Sequence, residues 1–167
     1  MKGLVYGTEL PVVGVSTLRV LAEAVAIEAD TIAPSGSIIG TLNAQREEVY
    51  AASFSGMKDG FAPEPDVLPE LVYNAKELAD ALPPGCVLAG EGVSIVSKQL
   101  AELRGEELAF IEAVGREPTA GGVGRLAVAQ WASEGGTDAA DLAPRYVRRA
   151  EAEVTRTAER FEPPADG

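Results

Sequence analysis

Apolar and polar positions along the chain alternate between the periods of a strand and of a helix, and each switch marks an element. Residues 37–42 (Ser-Ile-Ile-Gly-Thr-Leu) and 49–54 (Val-Tyr-Ala-Ala-Ser-Phe) are two β-prone runs joined by a short charged and polar stretch. That arrangement predicts a β-hairpin. On its second strand Val49, Ala51 and Ser53 point one way, and Tyr50, Ala52 and Phe54 the other. Apolar groups on both faces predict a strand near the middle of a sheet, covered on both sides.

Before the hairpin, residues 1–8 read as the last turn of a helix with Gly7 as its C-cap. Residues 11–15 (Pro-Val-Val-Gly-Val) read as a short strand, with Pro11 first, where a missing N–H does least harm. Ser16 is the expected N-cap of a helix through its side-chain oxygen, although Arg19 stands where Glu would complete a capping box. Leu18, Leu21, Ala22 and Val25 form its apolar stripe, with Arg19 and Glu23 toward solvent, and the predicted end is near Glu28. Residues 34–36 (Pro-Ser-Gly) form a linker and a boundary between lobes.

After the hairpin, residues 60–66 hold two prolines and read as a loop. Residues 67–73 are extended but interrupted by Pro69, which suits an edge strand. Asn74 caps a predicted helix over 75–82 with Leu78, Ala81 and Leu82 inward, and a buried strand follows over 86–89. The Gly90-Glu91-Gly92 junction could bring backbone N–H groups to a phosphate. Glu91 sets a negative charge at its mouth, and no third glycine or Walker lysine follows, so a plain strand-to-helix turn is favoured.

A helix over 93–103 stops at Arg104-Gly105. Residues 106–114 have near-helical spacing, though 108–111 also suits a strand. Pro118-Thr119 opens a helix that carries Gly121, Gly122 and Gly124, each costing up to about 1 kcal/mol relative to Ala. Close packing of another backbone is the natural reason. Val123, Leu126, Ala127, Gln130 and Trp131 share a side, with Trp131 as a core anchor, and Gly135-Gly136 ends the helix. Arg145, Arg148, Arg149, Arg156 and Arg160 make 145–160 the only locally basic stretch. It reads as a solvated final helix with weak ion pairs, or as a docking site for an acidic partner or tRNA phosphate. Strands alternating with helices indicate an α/β or α+β sandwich.

Composition narrows what such a chain can do. A length of 167 residues suits one domain or two small lobes, and 46% hydrophobic with 24% charged residues is globular. A formal charge of −12 opposes broad binding to nucleic acid or to anionic membranes. The single cysteine, Cys86, excludes an internal disulfide, fits a reducing compartment and reads as an inert core thiol. No histidine is present, which removes the commonest general base and transition-metal ligand. Without a signal-like or membrane-spanning apolar run, the expected address is the cytoplasm. Adjacent Glu47 and Glu48 on a strand would point to opposite faces and could not act as a pair. No spacing of His, Cys, Asp or Glu suggests a metal, and no cofactor is expected.

Three segments carry a resemblance to a known family. Residues 43–54 resemble the Asp-Ala-Arg-x-x-Glu-Val-Tyr segment of the TsaB (YeaZ) family, with Asn43 and Gln45 where the family has Asp and Arg. Residues 3–18 resemble its helix end, strand and Gly-Val-Ser-(Ser/Thr)-Leu helix start. Residues 143–152 are similar to its Pro-x-Tyr-Leu-Arg ending. The resemblance implies the C-terminal part of an actin-like, ribonuclease-H-like α/β fold, a mixed sheet flanked by helices, without the family's N-terminal glycine-rich loop and preceding sheet. It divides the chain into a remnant of the N-terminal lobe (1–33), a C-terminal lobe (36–155) and a tail (156–167).

For function, the resemblance implies a non-catalytic partner in making the threonylcarbamoyladenosine modification at adenosine 37 of tRNA. The chain would support TsaD and the ATPase TsaE, form a homodimer, and meet tRNA only indirectly. Family contacts with TsaD run chiefly through the N-terminal lobe, so weak association is expected of this chain alone. Candidate interaction residues are Arg46, Glu48, Tyr50, Arg145, Tyr146, Arg148 and Arg149. Two other readings stand beside this one. The chain could be a nucleotide-binding or hydrolytic remnant of the actin-like fold, matching the glycoprotease label the family sometimes bears. It could also be a stand-alone acidic adaptor whose bared apolar face self-associates.

Overall fold

A computed structural model describes residues 2–5, 7–32, 37–57, 60–63, 67–105, 109–112, 117–143 and 147. The elements in chain order are α1 (Lys2–Val5), α2 (Thr17–Ile32), β1 (Ser37–Asn43), β2 (Glu48–Met57), β3 (Gly60–Pro63), β4 (Leu71–Asn74), α3 (Ala75–Ala81), β5 (Val87–Gly90), α4 (Val93–Arg104), β6 (Ala109–Glu112) and α5 (Ala120–Glu134). The strands form one six-stranded sheet in the order β3-β2-β1-β5-β6, with β4 also pairing β2. Pairs β1–β2, β2–β3 and β2–β4 are antiparallel, whereas β1–β5 and β5–β6 are parallel, so the sheet is mixed.

The hairpin forms as its sequence predicts, with Leu42 opposite Tyr50 and Ile38 opposite Phe54. Strand β2 lies inside the sheet, flanked by β1 on one edge and by β3 and β4 on the other. Its period of two feeds both layers. Val49 and Ala51 join Ile39, Leu88, Leu78, Val96 and Leu100 under α3 and α4. Ala52 and Phe54 join Ile38, Val87 and Ala89 under Leu18, Leu21, Ala22 and Val25 of α2. Burying each Leu or Val side chain fully is worth about 1.5–3 kcal/mol. The α2 stripe read from the sequence is therefore the one that packs.

Glycines set how closely the layers approach. A Cβ on Gly40 would lie 2.5 Å from the Leu18 carbonyl oxygen, so β1 accepts the first turn of α2 directly against its backbone. Strand β5 is wholly buried, and Cys86 before it is fully enclosed, as the apolar run 86–89 predicts. The Asn74 cap is complete. Its side-chain oxygen accepts from the Lys76 and Glu77 N–H groups, and the Glu77 carboxylate accepts from the Asn74 N–H. Gly7, at φ +81, follows α1 as a C-cap glycine should.

Several expectations are corrected. Residues 11–15 do not join the sheet. Val12 makes one isolated antiparallel bridge to Thr137, with both N–H···O distances 2.8 Å, because this segment runs beside the exit of α5. Helix α2 continues to Ile32, since nothing before Pro34 forbids another turn. Ser16 precedes α2, and its carbonyl accepts from Val20, while its hydroxyl donates to the Glu70 carboxylate at 3.2 Å. Only Leu71–Asn74 of the extended segment is strand, on the edge as expected, and it pairs β2 alone. Ala81 is exposed, and Ala75 and Ala79 take the inward places beside Leu78. Of the two readings of 106–114, the strand forms, as β6 parallel to β5.

Helix α5 departs furthest. Thr119 caps it by accepting from Gly122 N–H, and Gly135 closes it at φ +78, both as read from the sequence. Yet only Gly122 and Leu126 are buried, and Trp131 is 47% exposed, so it is no core anchor. Its ring lies over Gly136, close to Pro11. Of the three early glycines, only Gly122 meets a neighbouring helix closely. A Cβ there would sit 2.8 Å from Val20 Cγ1, while Gly124 faces open space.

Candidate functional site

The hairpin turn is the most unusual backbone among the described residues. Gln45, Arg46 and Glu47 follow one another at φ 66°, 55° and 62°, a left-handed conformation that side chains disfavour by about 1 kcal/mol or more each. Local hydrogen bonds hold it. The Gln45 N–H donates to Asn43 Oδ1 at 2.7 Å, and Ala44 and Glu48 close the turn through Ala44 N to Glu48 O and Glu48 N to Gln45 O. Asn43 thus has a local task that an Asp could also perform, which accounts for its standing where the resembled family carries an acid. On the other side the Glu91 carboxylate accepts from the Asn43 N–H at 3.3 Å, tying the turn to the β5–α4 junction.

Beside this turn lies a cleft of about 420 Å³, lined by Arg46, Glu47, Glu48, Asn74, Lys76, Gln99 and their neighbours Glu102 and Leu103. Three elements build it. The strained turn supplies Arg46 to Glu48, the capped start of α3 supplies Asn74 and Lys76, and the last turns of α4 supply Gln99, Glu102 and Leu103. The β2–β4 register places Glu48 opposite Asn74, which brings turn and cap together. Gln99 holds its side-chain oxygen out of water with no hydrogen-bond partner. Such an orphaned acceptor costs about 1–3 kcal/mol.

Of the candidate interaction residues, Arg46 and Glu48 therefore meet at one cleft. Tyr50 does not join them. It is half-buried, packs against the α2-side core, and lies against a small cluster of Ala44, Val72 and Val147. Val147 connects two of the segments that carried the resemblance, since it buries itself beside the hairpin. Arg145, Tyr146, Arg148 and Arg149 lie outside the described residues, as do the linker 34–36 and the tail 156–167. Asn74 was read from the sequence only as a helix cap, and Lys76, Gln99, Glu102 and Leu103 were not singled out there. The i, i+3, i+4 spacing of 99, 102 and 103 marks a second stripe on α4, but no sequence pattern says that it faces the hairpin.

The remaining polar groups have structural partners. Gly90 and Gly92 of the Gly-x-Gly junction are filled by β1. A Cβ on Gly90, at φ +113, would lie 2.0 Å from the Thr41 carbonyl oxygen, and one on Gly92 would meet Thr41 and Val49 side chains at 2.9–3.0 Å. These glycines admit a strand, which supports the plain turn. The Thr41 hydroxyl donates to the Ala89 carbonyl at 2.9 Å.

Burial pushes the Cys86 thiol up to about 11, an effect partly offset by the nearby Arg104 cation, so at neutral pH it is a protonated core thiol. Arg104 itself donates to the carbonyls of Ala79 and Leu82 at 2.6 and 3.2 Å, satisfying the end of α3. Burial, with Glu77 nearby, raises Tyr73 to about 12, and its hydroxyl donates to the Pro69 carbonyl. Among the described residues no three His, Cys, Asp or Glu side chains gather as a metal site, and no helix is long and apolar enough to cross a membrane.

No protein-family model matches the chain, and no curated protein matches it either. Solved structures do. The chain resembles YeaZ from Pseudomonas aeruginosa with a TM-score of 0.68 and 23% sequence identity, over 87% of this chain and 62% of that one. It also resembles an uncharacterized protein with similarity to peptidase YeaZ from Pseudomonas aeruginosa, with a TM-score of 0.69 and 23% identity, over 88% of this chain and 63% of that one. The fold is thus the actin-like, ribonuclease-H-like one expected, and the chain spans less than two thirds of the length of these neighbours.

Proposed function

We propose that the protein is a non-catalytic partner in the threonylcarbamoyladenosine modification of tRNA, working by being held against TsaD- and TsaE-like proteins and against a second copy of itself. The observation that carries this reading is the coincidence of fold and motif. A chain with the fold of YeaZ places the Asn43–Tyr50 turn, which resembles the family's hairpin motif, at the rim of a cleft, and packs Val147 of the family-like ending beside it. The side-chain chemistry supports contact over catalysis. The cysteine is buried with a raised pKa, the serine and threonine hydroxyls described above donate to structural acceptors, and the sequence has no histidine. The peptidase label on one structural neighbour describes that protein, and nothing in this chain's residues calls for it here.

The test is a reconstituted modification assay with a TsaD-like protein, a TsaE-like ATPase, threonine, bicarbonate, ATP and tRNA. Formation of modified adenosine 37 should rise when this chain is added. An unchanged yield over a range of chain concentrations would overturn the proposal. The competing reading, a nucleotide-binding remnant, requires thermal stabilisation by ATP with Mg²⁺. The filled Gly90–Gly92 junction speaks against it.

A further inference from the structure

Two of the three glycines at the start of α5 have no task within one copy of the chain. Gly122 admits Val20 of α2, but Gly121 and Gly124 are exposed, and a Cβ on Gly124 would meet nothing within 4 Å. Both fall on one stripe with Val128 and Trp131, at steps of three, four and three residues, the spacing of a helix-pairing seam. All four are exposed, on the side turned away from buried Leu126, with Val128 at 71% and Trp131 at 47%. We infer that this stripe is a contact between two copies of the chain, their α5 helices packed antiparallel about a twofold axis. The inference rests on the reading of the chain as a protein that pairs with itself, and it names the face and the register.

The order of sizes along the stripe argues for that occupant. Two residues without side chains come first and two large ones follow, centred on Leu126. Turned antiparallel, Gly121 of one copy lies opposite Trp131 of the other, and Gly124 opposite Val128. Each large side chain then meets a gap, the self-complementarity that a twofold contact needs. Charge argues the same way. The chain carries −12, so two copies repel unless they meet across a neutral face. From Pro118 to Ser133 the sole charged residue is Arg125, which already pairs with Glu23 at 2.9 Å. A basic or acidic partner finds no counter-charge there. Leu10, 61% exposed and next to Pro11, widens the apolar surface at the Trp131 end. The 15 residues of α5 span about 22 Å and offer on the order of 300 Å² to a neighbour, well under the ~800 Å² per partner of a standard interface. The pair should be weak, with a dissociation constant of about 10–100 µM. At the low-micromolar concentrations of a melting curve the chain is then a monomer.

The test is sedimentation equilibrium of the full chain from low-micromolar to about 500 µM, with tryptophan fluorescence read over the same range. The mass should rise from one chain toward two. Trp131 is the sole tryptophan, so its emission should move to shorter wavelength in step with the mass as the partner covers it. Trp131→Ala should weaken association about tenfold or more, and Val128→Glu should abolish it, while circular dichroism stays that of the parent chain. Gly124→Leu separates a fitted contact from a merely sticky face. The monomer has room for the added side chain, so the fold stays, but the gap for Val128 is filled and pairing should weaken about tenfold. A mass that stays at one chain throughout leaves the face to a different protein and overturns the inference. A pair that forms without the emission shift, that survives Val128→Glu, or that Gly124→Leu tightens overturns it as well. Successful tRNA modification beside a chain that does not pair through α5 removes this contact alone. Pairing as described beside an unchanged yield of modified adenosine removes the TsaD- and TsaE-like partners alone.

Discussion

Helices α4 and α5 have similar lengths, 12 and 15 residues, yet they relate to the core in opposite ways. In α4, Val93, Val96 and Leu100 recur at helical spacing and all disappear into the layer under β5 and β1. In α5, apolar residues surround the helix, but only Gly122 and Leu126 are buried, while Val128 and Trp131 are 71% and 47% exposed. Helix α4 lies within the β5–α4–β6 crossover, and a parallel crossover must cover the sheet it joins. Helix α5 rests on α2, where Gly122 lets the helices close and Arg125 pairs with Glu23 at 2.9 Å. Periodicity, more than apolar content, decided which helix became core.

That contrast can be broken most sharply at the turn that launches α4. Gly90→Ala forces a Cβ to 2.0 Å from the Thr41 carbonyl oxygen at φ +113, so it should cost about 3 kcal/mol or more and could leave the chain unfolded by circular dichroism. Next in size is a matched pair of truncations. Leu100→Ala should destabilise by about 2–5 kcal/mol in urea denaturation, whereas Val128→Ala should stay within about 0.5 kcal/mol. Equal effects would erase the distinction between the two helices.

Alkali should act through the α3–α4 side, where the two raised groups lie. Cys86 and Tyr73 keep their protons in the folded state up to about 11 and about 12, against ordinary values of 9.0 and 10.0. The unfolded chain releases those protons earlier, so their contribution is whole below pH 9.0 and is lost as pH rises toward 11 and 12. The unfolding free energy from urea denaturation should fall above pH 9, by up to about 1.4 kcal/mol per pH unit for each group, and Cys86→Ala should flatten the first part of the fall. A midpoint constant from pH 8 to 10.5 would contradict this.

The smallest expected effects separate two glycines within α5. Gly122→Ala crowds Val20 and should destabilise by about 1 kcal/mol, while Gly124→Ala meets nothing within 4 Å and should stabilise by about 0.5–1 kcal/mol. Thermal melts of the two variants should move in opposite directions.

What the sequence made legible follows from how local each signal is. The hairpin, the Asn74 cap, the α2 stripe and the buried β5 are written within a few residues, and each formed as read. The segment 11–15 misled because five apolar residues look alike whether they enter a sheet or make one bridge, as Val12 does with Thr137. Trp131 misled because its burial depends on what packs over α5, which no pattern within the helix states. The cleft was half legible. Arg46 and Glu48 came from the resemblance, but Gln99 and Glu102 reach it only through packing of α4 against the hairpin, a contact between residues some fifty positions apart.

The central claim is that this chain acts by contact and performs no bond-breaking chemistry. Phosphate release from ATP with Mg²⁺, measured on the purified full chain at physiological pH, tests it most directly. Release should be no faster than in buffer alone. Turnover that a single substitution in the chain abolishes would contradict it.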